Sequence, residues 1–408
     1  MRTVVLKKEG EYFMNPFIIL GIAVIVGILF GKLMNRLKVP AVAGYIIGGL
    51  VLGTSGFNLI TGDLITQTSF ISDLALCIIA FNIGSELELS VIKKLGKNIF
   101  IIAFFEATGA FLFVTFISYV VTGGDVALSL ILGSVSAATA PAATVMVLKE
   151  YKAKGPLTST LLGVVAMDDA ICLMIYAVAA AIAKVFVNHD HITVTKIFFI
   201  PVGEIVFSLL VGAVMGIAVT YLIKISKRDN ERLPFILGTL LLVDGLASLF
   251  SLSPLLTAMA TGIMVANVSS QKLKAFGSLE QFSSPIITMF FVLAGARLDI
   301  RLIPTIGFLG AAYLIFRILG KVLGAALGAT ISHAPTTVRK YIGLGLLSQV
   351  GVAVGLAITV SREFPGTNLG TTVITILLAT TIITEIVGPI STKTALYKSK
   401  ESHITKEG

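Results

Sequence analysis

Two aspartates stand side by side in the stretch LLGVVAMDDAICLMIYAV (161–178), Asp168 and Asp169, inside a run that is otherwise almost wholly apolar. No Lys, Arg or His lies within ten residues on either side. A charge at the centre of a bilayer costs at least about 2.5–3.5 kcal/mol, so ionisable residues there mark ion or proton pathways by default. Adjacent helix positions are turned by about 100° from one another, so the two acids address different surroundings. One can meet a buried partner while the other lines a cavity. Burial and mutual repulsion oppose ionising both together, which suits such a carboxylate to hold either a proton or a cation.

Basic counterparts occur in AAYLIFRILGKVLGAALGA (311–329), where Arg317 and Lys321 stand four apart and share one helix face. The simplest arrangement pairs one of them with one of the aspartates; spacing alone leaves open which. Two polar, broken stretches complete the set. In LGSVSAATAPAATVMVLKE (132–150), Ser134, Ser136, Thr139 and Pro141 interrupt a hydrophobic block, and Pro141 removes an amide donor and clashes with the preceding turn. In IGLGLLSQVGVAVGLA (342–357), four glycines flank Ser348 and Gln349. Unwound backbone at membrane depth persists only where protein or a water cavity satisfies it. Paired discontinuous helices in matching halves point to a transporter's ion site.

These residues need a membrane scaffold, and the composition supplies it. Of 408 residues 56% are hydrophobic and 13% charged, with a mean hydropathy of +0.97, against about 25% charged in soluble domains. Apolar residues form blocks near 14–36, 39–54, 69–85, 98–122, 126–148, 156–186, 197–224, 233–252, 254–268, 280–297, 303–331, 341–361 and 369–392. Most have the length of a bilayer-crossing helix; the second, third and ninth are short. The first block carries no cleavage signature and is read as a retained helix. With the N-terminus outside, 21 of the 31 basic residues fall on the cytoplasmic side and 8 outside, leaving Arg317 and Lys321 inside a helix. The positive-inside rule favours that orientation, with a cytoplasmic C-terminus. The net charge of +9 is therefore a topology signal and gives no reason to expect nucleic acid.

The placement is also symmetric. Helices four to six hold Glu106, the first break and the Asp pair; helices eleven to thirteen hold Arg317, Lys321, the second break and Glu385. Six spans plus a linker at 197–224 make the halves enter from opposite sides, as an inverted repeat requires. Glu106 and Glu385 are expected to cap broken-helix amides or tune the site. Asp73 and Asp244 are read as structural hydrogen-bonding groups, and Arg297 with Asp299 as an interfacial pair at a helix end. Cys77 and Cys172 read as small apolar packing residues, and neither a metal cluster nor a cofactor is expected.

The motifs ATAPAATVMVLKE, LLGVVAMDDAICLMIYA, ILGKVLGAALGA and GLLSQVGVAVGLA, in that order, resemble the second subgroup of the monovalent cation:proton antiporters. That group includes bacterial sodium/proton antiporters and the membrane parts of potassium efflux systems. The resemblance covers essentially the whole chain. It implies an all-α fold of about thirteen transmembrane helices, an inverted repeat with two crossed discontinuous helices, and a homodimer in the cell membrane. It divides the chain into dimerisation helices (1–96 and 229–302), two core halves (97–186 and 303–394), a linker helix (187–228) and a tail (395–408). It assigns cation and proton binding to Asp169, which would hold a monovalent cation. Asp168 then pairs with Lys321 rather than Arg317, Thr139 and Pro141 mark the first break with Ser136 beside them, and Gln349 marks the second. The implied activity is exchange of Na+, Li+ or K+ for protons, electrogenic by analogy with Asp-Asp-Lys members. Arg317 sits awkwardly with that stoichiometry, because arginine does not release a proton at physiological pH.

Three rival readings are weighed. A potassium efflux membrane subunit would share these helices but lacks its nucleotide-binding domain here. An intramembrane aspartyl protease would carry its acids on two helices with a G-x-G-D motif, which is absent. A bile-acid-type carrier would have about ten spans and no Asp pair. The chain is expected to be a carrier and not an enzyme.

Overall fold

The computed structural model describes residues 5–8, 11–37, 40–188, 200–226, 231–298, 301 and 303–402. Each of the thirteen apolar blocks has a helical counterpart. Eight described helices are long and apolar enough to cross a membrane: α1 (Pro16–Arg36), α5 (Leu89–Val121), α8 (Pro156–Val187), α9 (Ile200–Ile225), α10 (Arg232–Leu249), α12 (Lys272–Ala296), α13 (Ile303–Ile331) and α16 (Leu369–Ser399). The short blocks are α2 (Ala41–Leu52), α4 (Ser69–Glu86) and α11 (Pro254–Val268), and a six-residue helix α3 (Gly62–Gln67) precedes α4.

The remaining two blocks are interrupted. The first is α6 (Val126–Ser136) followed by α7 (Pro141–Glu150); the second is α14 (Thr336–Tyr341), a 3-10 turn over Ile342–Gly345, and α15 (Gly351–Glu363). Pro141 opens α7, a first-turn position where its missing N–H costs nothing. Local chemistry sets the other starts. Asp125 caps α6 by accepting from the Leu128 amide at 2.9 Å, and Ser253 caps α11 by accepting from Leu256, each satisfying an orphan donor.

Several boundaries differ from the hydropathy reading. α5 begins at Leu89, across a break at Gly96 (φ 80°), α12 begins at Lys272, α14 begins at Thr336 and α16 runs on to Ser399, because polar residues continue a helix beyond its apolar block. A short antiparallel hairpin, Val5–Lys8 with Glu11–Met14, precedes α1 and had no counterpart in the apolar pattern.

The helices sort by packing. α5 lies along α13, α6 against α5 and α8, and α15 against α16; α1 and α12 flank α2, while α4 and α9 flank α11. The α5–α13 contact is close enough to exclude side chains. A Cβ on Gly109 would meet the Gly320 carbonyl oxygen at 2.6 Å, and one on Gly320 would meet the Gly109 oxygen at the same distance. Small residues that let backbones approach are how helices associate where water supplies no hydrophobic drive. This close approach brings the polar face of α13 to the two breaks.

Candidate functional site

The breaks cross and hydrogen-bond to one another. The Ala140 amide, just before α7, donates to the Ser348 carbonyl at 2.9 Å. Thr144 donates to Gly345 O at 2.7 Å, and the Gln349 side-chain amide donates to Val135 O at 2.9 Å. Thr384 on α16 reaches Gln349 O at 3.4 Å.

Arg317 holds the crossing together. Nε donates to Ser136 O at 3.1 Å, Nη1 to Leu347 O at 2.7 Å, and Nη2 to Ala138 O at 2.8 Å and Ser348 O at 3.5 Å. One guanidinium thus satisfies freed carbonyls from both breaks. Its planar fork of five donors suits that task, and it keeps its charge under all relevant conditions. Arg317 is therefore a structural cation. The choice between it and Lys321 as the aspartates' partner falls to Lys321.

One turn further along α13, Lys321 Nζ donates to Ala137 O at 2.6 Å and Thr139 Oγ1 at 2.7 Å. Its tight ion pair, however, is with Glu106 on α5. Asp168 Oδ2 lies farther away, at 3.6 Å. The expectation that Asp168 is the partner of Lys321 is thus amended: Lys321 is shared, and Glu106 is the nearer carboxylate. Glu106 correspondingly does not cap a broken helix; its side chain points across the α5–α13 seam. The reason is geometric, since the glycine contact draws α5 within one side-chain length of Lys321.

Asp168, Glu106, Lys321 and Arg317 are each 0% exposed, and Asp169 is 6% exposed. Glu385, on α16, is also buried and lies within electrostatic range of Arg317. Three carboxyl groups, on Glu106, Asp168 and Glu385, thus lie within reach of Lys321 or Arg317, and Asp169 follows Asp168 on α8. Buried acids and bases grouped in this way stabilise one another only while they remain paired.

The remaining expected residues find these places. The Ser136 hydroxyl donates back to Gly133 O at 2.6 Å while its carbonyl serves Arg317. Asp73 pairs with Arg362, and Asp244 accepts from Cys77 Sγ at 3.7 Å. Both acids line a cavity of about 370 Å³ with Lys184, Glu204 and Glu363, away from the buried cluster. Asp299 lies outside the described residues. Cys172, one turn from Asp168, packs its thiol on Ser134 O at 3.5 Å. Tyr313 was missed. Its hydroxyl bonds Gln349, and the signal was available, because 313, 317 and 321 recur every four residues on one face of α13.

A polytopic helical protein with two crossed, interrupted helices and a buried acid–base cluster at their junction belongs to the class of secondary ion transporters. The comparisons specify it further. The family model described as sodium/hydrogen exchanger, transmembrane, matches residues 20–397, and the chain belongs to that family. It is therefore a monovalent cation:proton antiporter.

Among relatives, the ammonium/H(+) antiporter subunit AmhT of Alkalihalophilus pseudofirmus is 24% identical over 84% of this chain and 83% of its own length. The high-affinity Na(+)/H(+) antiporter NhaS3 of Synechocystis is 22% identical over 92% of this chain and 90% of its own. The solved sodium proton antiporter MjNhaP1 of Methanocaldococcus jannaschii shares the fold, with a TM-score of 0.76 over 94% of this chain and 98% of that one, at 18% identity.

Proposed function

We propose that the chain exchanges Na+, with Li+ and K+ as competing cations, for protons across the cell membrane by alternating access. The observation that carries this reading is the buried set of Asp168, Glu106 and Lys321 brought together beside the two interrupted helices. Asp169 is the residue at which cation and proton compete, with Asp168, Thr139 and Ser136 around it and Lys321 held ready by Glu106. Because each ligand can bind only when the other has left, each crosses by displacing the other. Relatives named for Na+ and for ammonium exchange support a small monovalent cation as substrate.

In this reading the core segments 97–186 and 303–394 move together against the dimerisation helices 1–96 and 229–302, with 187–228 as link and 395–408 as tail. The working unit is a homodimer in the lipid bilayer. The distribution of basic residues supports an outside N-terminus and a cytoplasmic C-terminus. The protein acts as a carrier, without enzymatic turnover or a cofactor.

One contact bears on stoichiometry. Exchange is electrogenic in this reading, with more protons than cations moved per cycle, and Glu106 leaves Lys321 a counter-charge when Asp168 turns to the cation; one-for-one exchange is the alternative. The reversal potential of exchange, measured against imposed membrane potentials, separates the two.

The reading is tested in proteoliposomes holding an imposed pH gradient, with Na+, Li+, K+ and ammonium added in turn to wild type and Asp169→Asn. Collapse of the gradient by a cation in the wild type alone is expected. Exchange retained in Asp169→Asn would remove the assignment. Cation flux without protons in the wild type would instead mark a potassium-efflux-type subunit.

A further inference from the structure

At the N-terminal end of α8, a carboxylate from near the other end of the chain closes the helix. The Leu157 and Thr158 amides and the Thr158 hydroxyl all donate to the Glu401 carboxylate, each at 2.7 Å. The Lys154 amide donates to the Glu401 carbonyl at 3.1 Å. The first turn of a helix presents amides with no partner inside the helix, and the local N-cap Gly155 has no side chain to offer them. Glu401 takes that role from 244 residues away.

Several independent features hold Glu401 there. Lys400 adopts the left-handed conformation (φ 61°), which turns the chain off α16, and the Glu401 amide returns to Leu396 O at 3.1 Å. Tyr397 packs edge-on against Tyr151 at 5.7 Å between centroids. Lys393 Nζ lies 5.3 Å from the Tyr151 ring and 5.9 Å from the Tyr397 ring. Glu401 is 5% exposed, an unusual burial for an acid beyond the end of a helix.

The two joined elements also meet at the site. α8 carries Asp168 and Asp169 about 17 and 18 Å along its axis from Leu157, at a rise of about 1.5 Å per residue. α16 supplies Thr384 to the second break, and Gly388 admits Ser348 where a Cβ would stand 2.0 Å from its hydroxyl. The helix that bears the acids and the helix that buttresses the break are thus tied at one end and opposed at the other.

We infer that Glu401 is a positioning residue for exchange, a latch that sets the axial seat of α8 and so the placement of Asp168 and Asp169 against Thr139 and Lys321. The inference rests on the antiport reading. With the latch released, the first turn of α8 loses its cap and α8 is free to shift along α16. The acids then meet the cation in a poorer arrangement, and the apparent KM for the cation rises. A cap that serves stability alone would lower thermal stability and the number of active molecules, neither of which moves KM.

The test uses the full-length chain in proteoliposomes. Glu401→Gln keeps the shape of the side chain and removes its charge; Thr158→Val removes only the hydroxyl bond. Expected are a KM increase of about fivefold or more in Glu401→Gln, a smaller increase in Thr158→Val, and no further increase in the double variant, since contacting residues that act together are non-additive. Unchanged KM in Glu401→Gln, or multiplying effects in the double variant, would overturn the inference. Hydrogen exchange of the peptide spanning 154–162 is read on the same samples and is independent of transport. At least tenfold faster exchange in Glu401→Gln is expected, and unaltered protection would show that no latch exists. Absence of cation-driven proton movement in the wild type, with normal protection of that peptide, would instead fault the antiport reading.

Discussion

Replacing Glu106 by glutamine removes the nearer counter-charge of Lys321 while keeping side-chain volume. Removing one partner of a buried ion pair costs about 3–5 kcal/mol when the other charge is left uncompensated. Here Lys321 retains Ala137 O, Thr139 Oγ1 and, at 3.6 Å, Asp168. Closing up on Asp168 recovers part of the loss, so a net destabilisation of about 1–3 kcal/mol is expected. The same movement has a functional cost, because Asp168 becomes the only counter-charge of Lys321 and is harder to release.

If releasing Asp168 then costs about 1.4 kcal/mol more, the apparent KM for the cation rises about tenfold. Thermal unfolding in detergent reads the first effect, and cation titration of proton flux in proteoliposomes reads the second. Asp168→Asn supplies the contrast, since it leaves the Glu106–Lys321 pair intact and should destabilise less. Were Asp168 the sole partner of Lys321, the order would reverse, with Glu106→Gln silent and Asp168→Asn severe. Unchanged stability and unchanged KM in Glu106→Gln would refute the shared-lysine reasoning.

Arg317→Lys keeps the charge but replaces a planar fork serving four carbonyls with an ammonium of three donors; a loss of about 2–4 kcal/mol in thermal stability, with loss of exchange, is expected. Competition of proton and cation for Asp169 sets the sign of the pH dependence. The protonated acid cannot take the cation, so apparent cation affinity falls as pH falls, by about tenfold per unit once the acid is mostly protonated, and levels off at high pH. Initial rates across a matrix of pH and cation concentration check this, and a KM independent of pH would exclude a shared site.

How much of this was legible beforehand follows from where each interaction gets its cause. Helix placement did, because hydropathy blocks and proline or glycine interruptions are local properties. The Asp168–Asp169 pair, Arg317 and Lys321, and both breaks were visible as charges and polar runs whose cost at membrane depth is itself the signal. The division of labour between Arg317 and Lys321 was not. Both are cations on one face, and only the crossing of the breaks puts four carbonyls around one and carboxylates around the other. Glu106 as the nearer partner was hidden for a related reason. It depends on Gly109 and Gly320 closing the α5–α13 distance, a tertiary contact between segments about two hundred residues apart. Glu401 carried no signal at all, lying outside every apolar block in the stretch read only as a tail.

These hidden contacts share a logic. Each fixes the relative position of elements that carry the reacting groups, while none has chemistry of its own to offer the cation. Arg317 pins the two breaks to each other, Glu106 pins Lys321 to the α5–α13 seam, and Glu401 pins α8 to α16. An ion site whose ligand can exchange a proton for a cation needs surroundings that do not rearrange each time its charge changes. In water the solvent would absorb that change. At membrane depth the compensating dipoles and charges must be built in and held still, and residues that hold them are drawn from wherever the fold brings chain together. That is why the reacting acids announce themselves in the sequence while the roles of their supports do not.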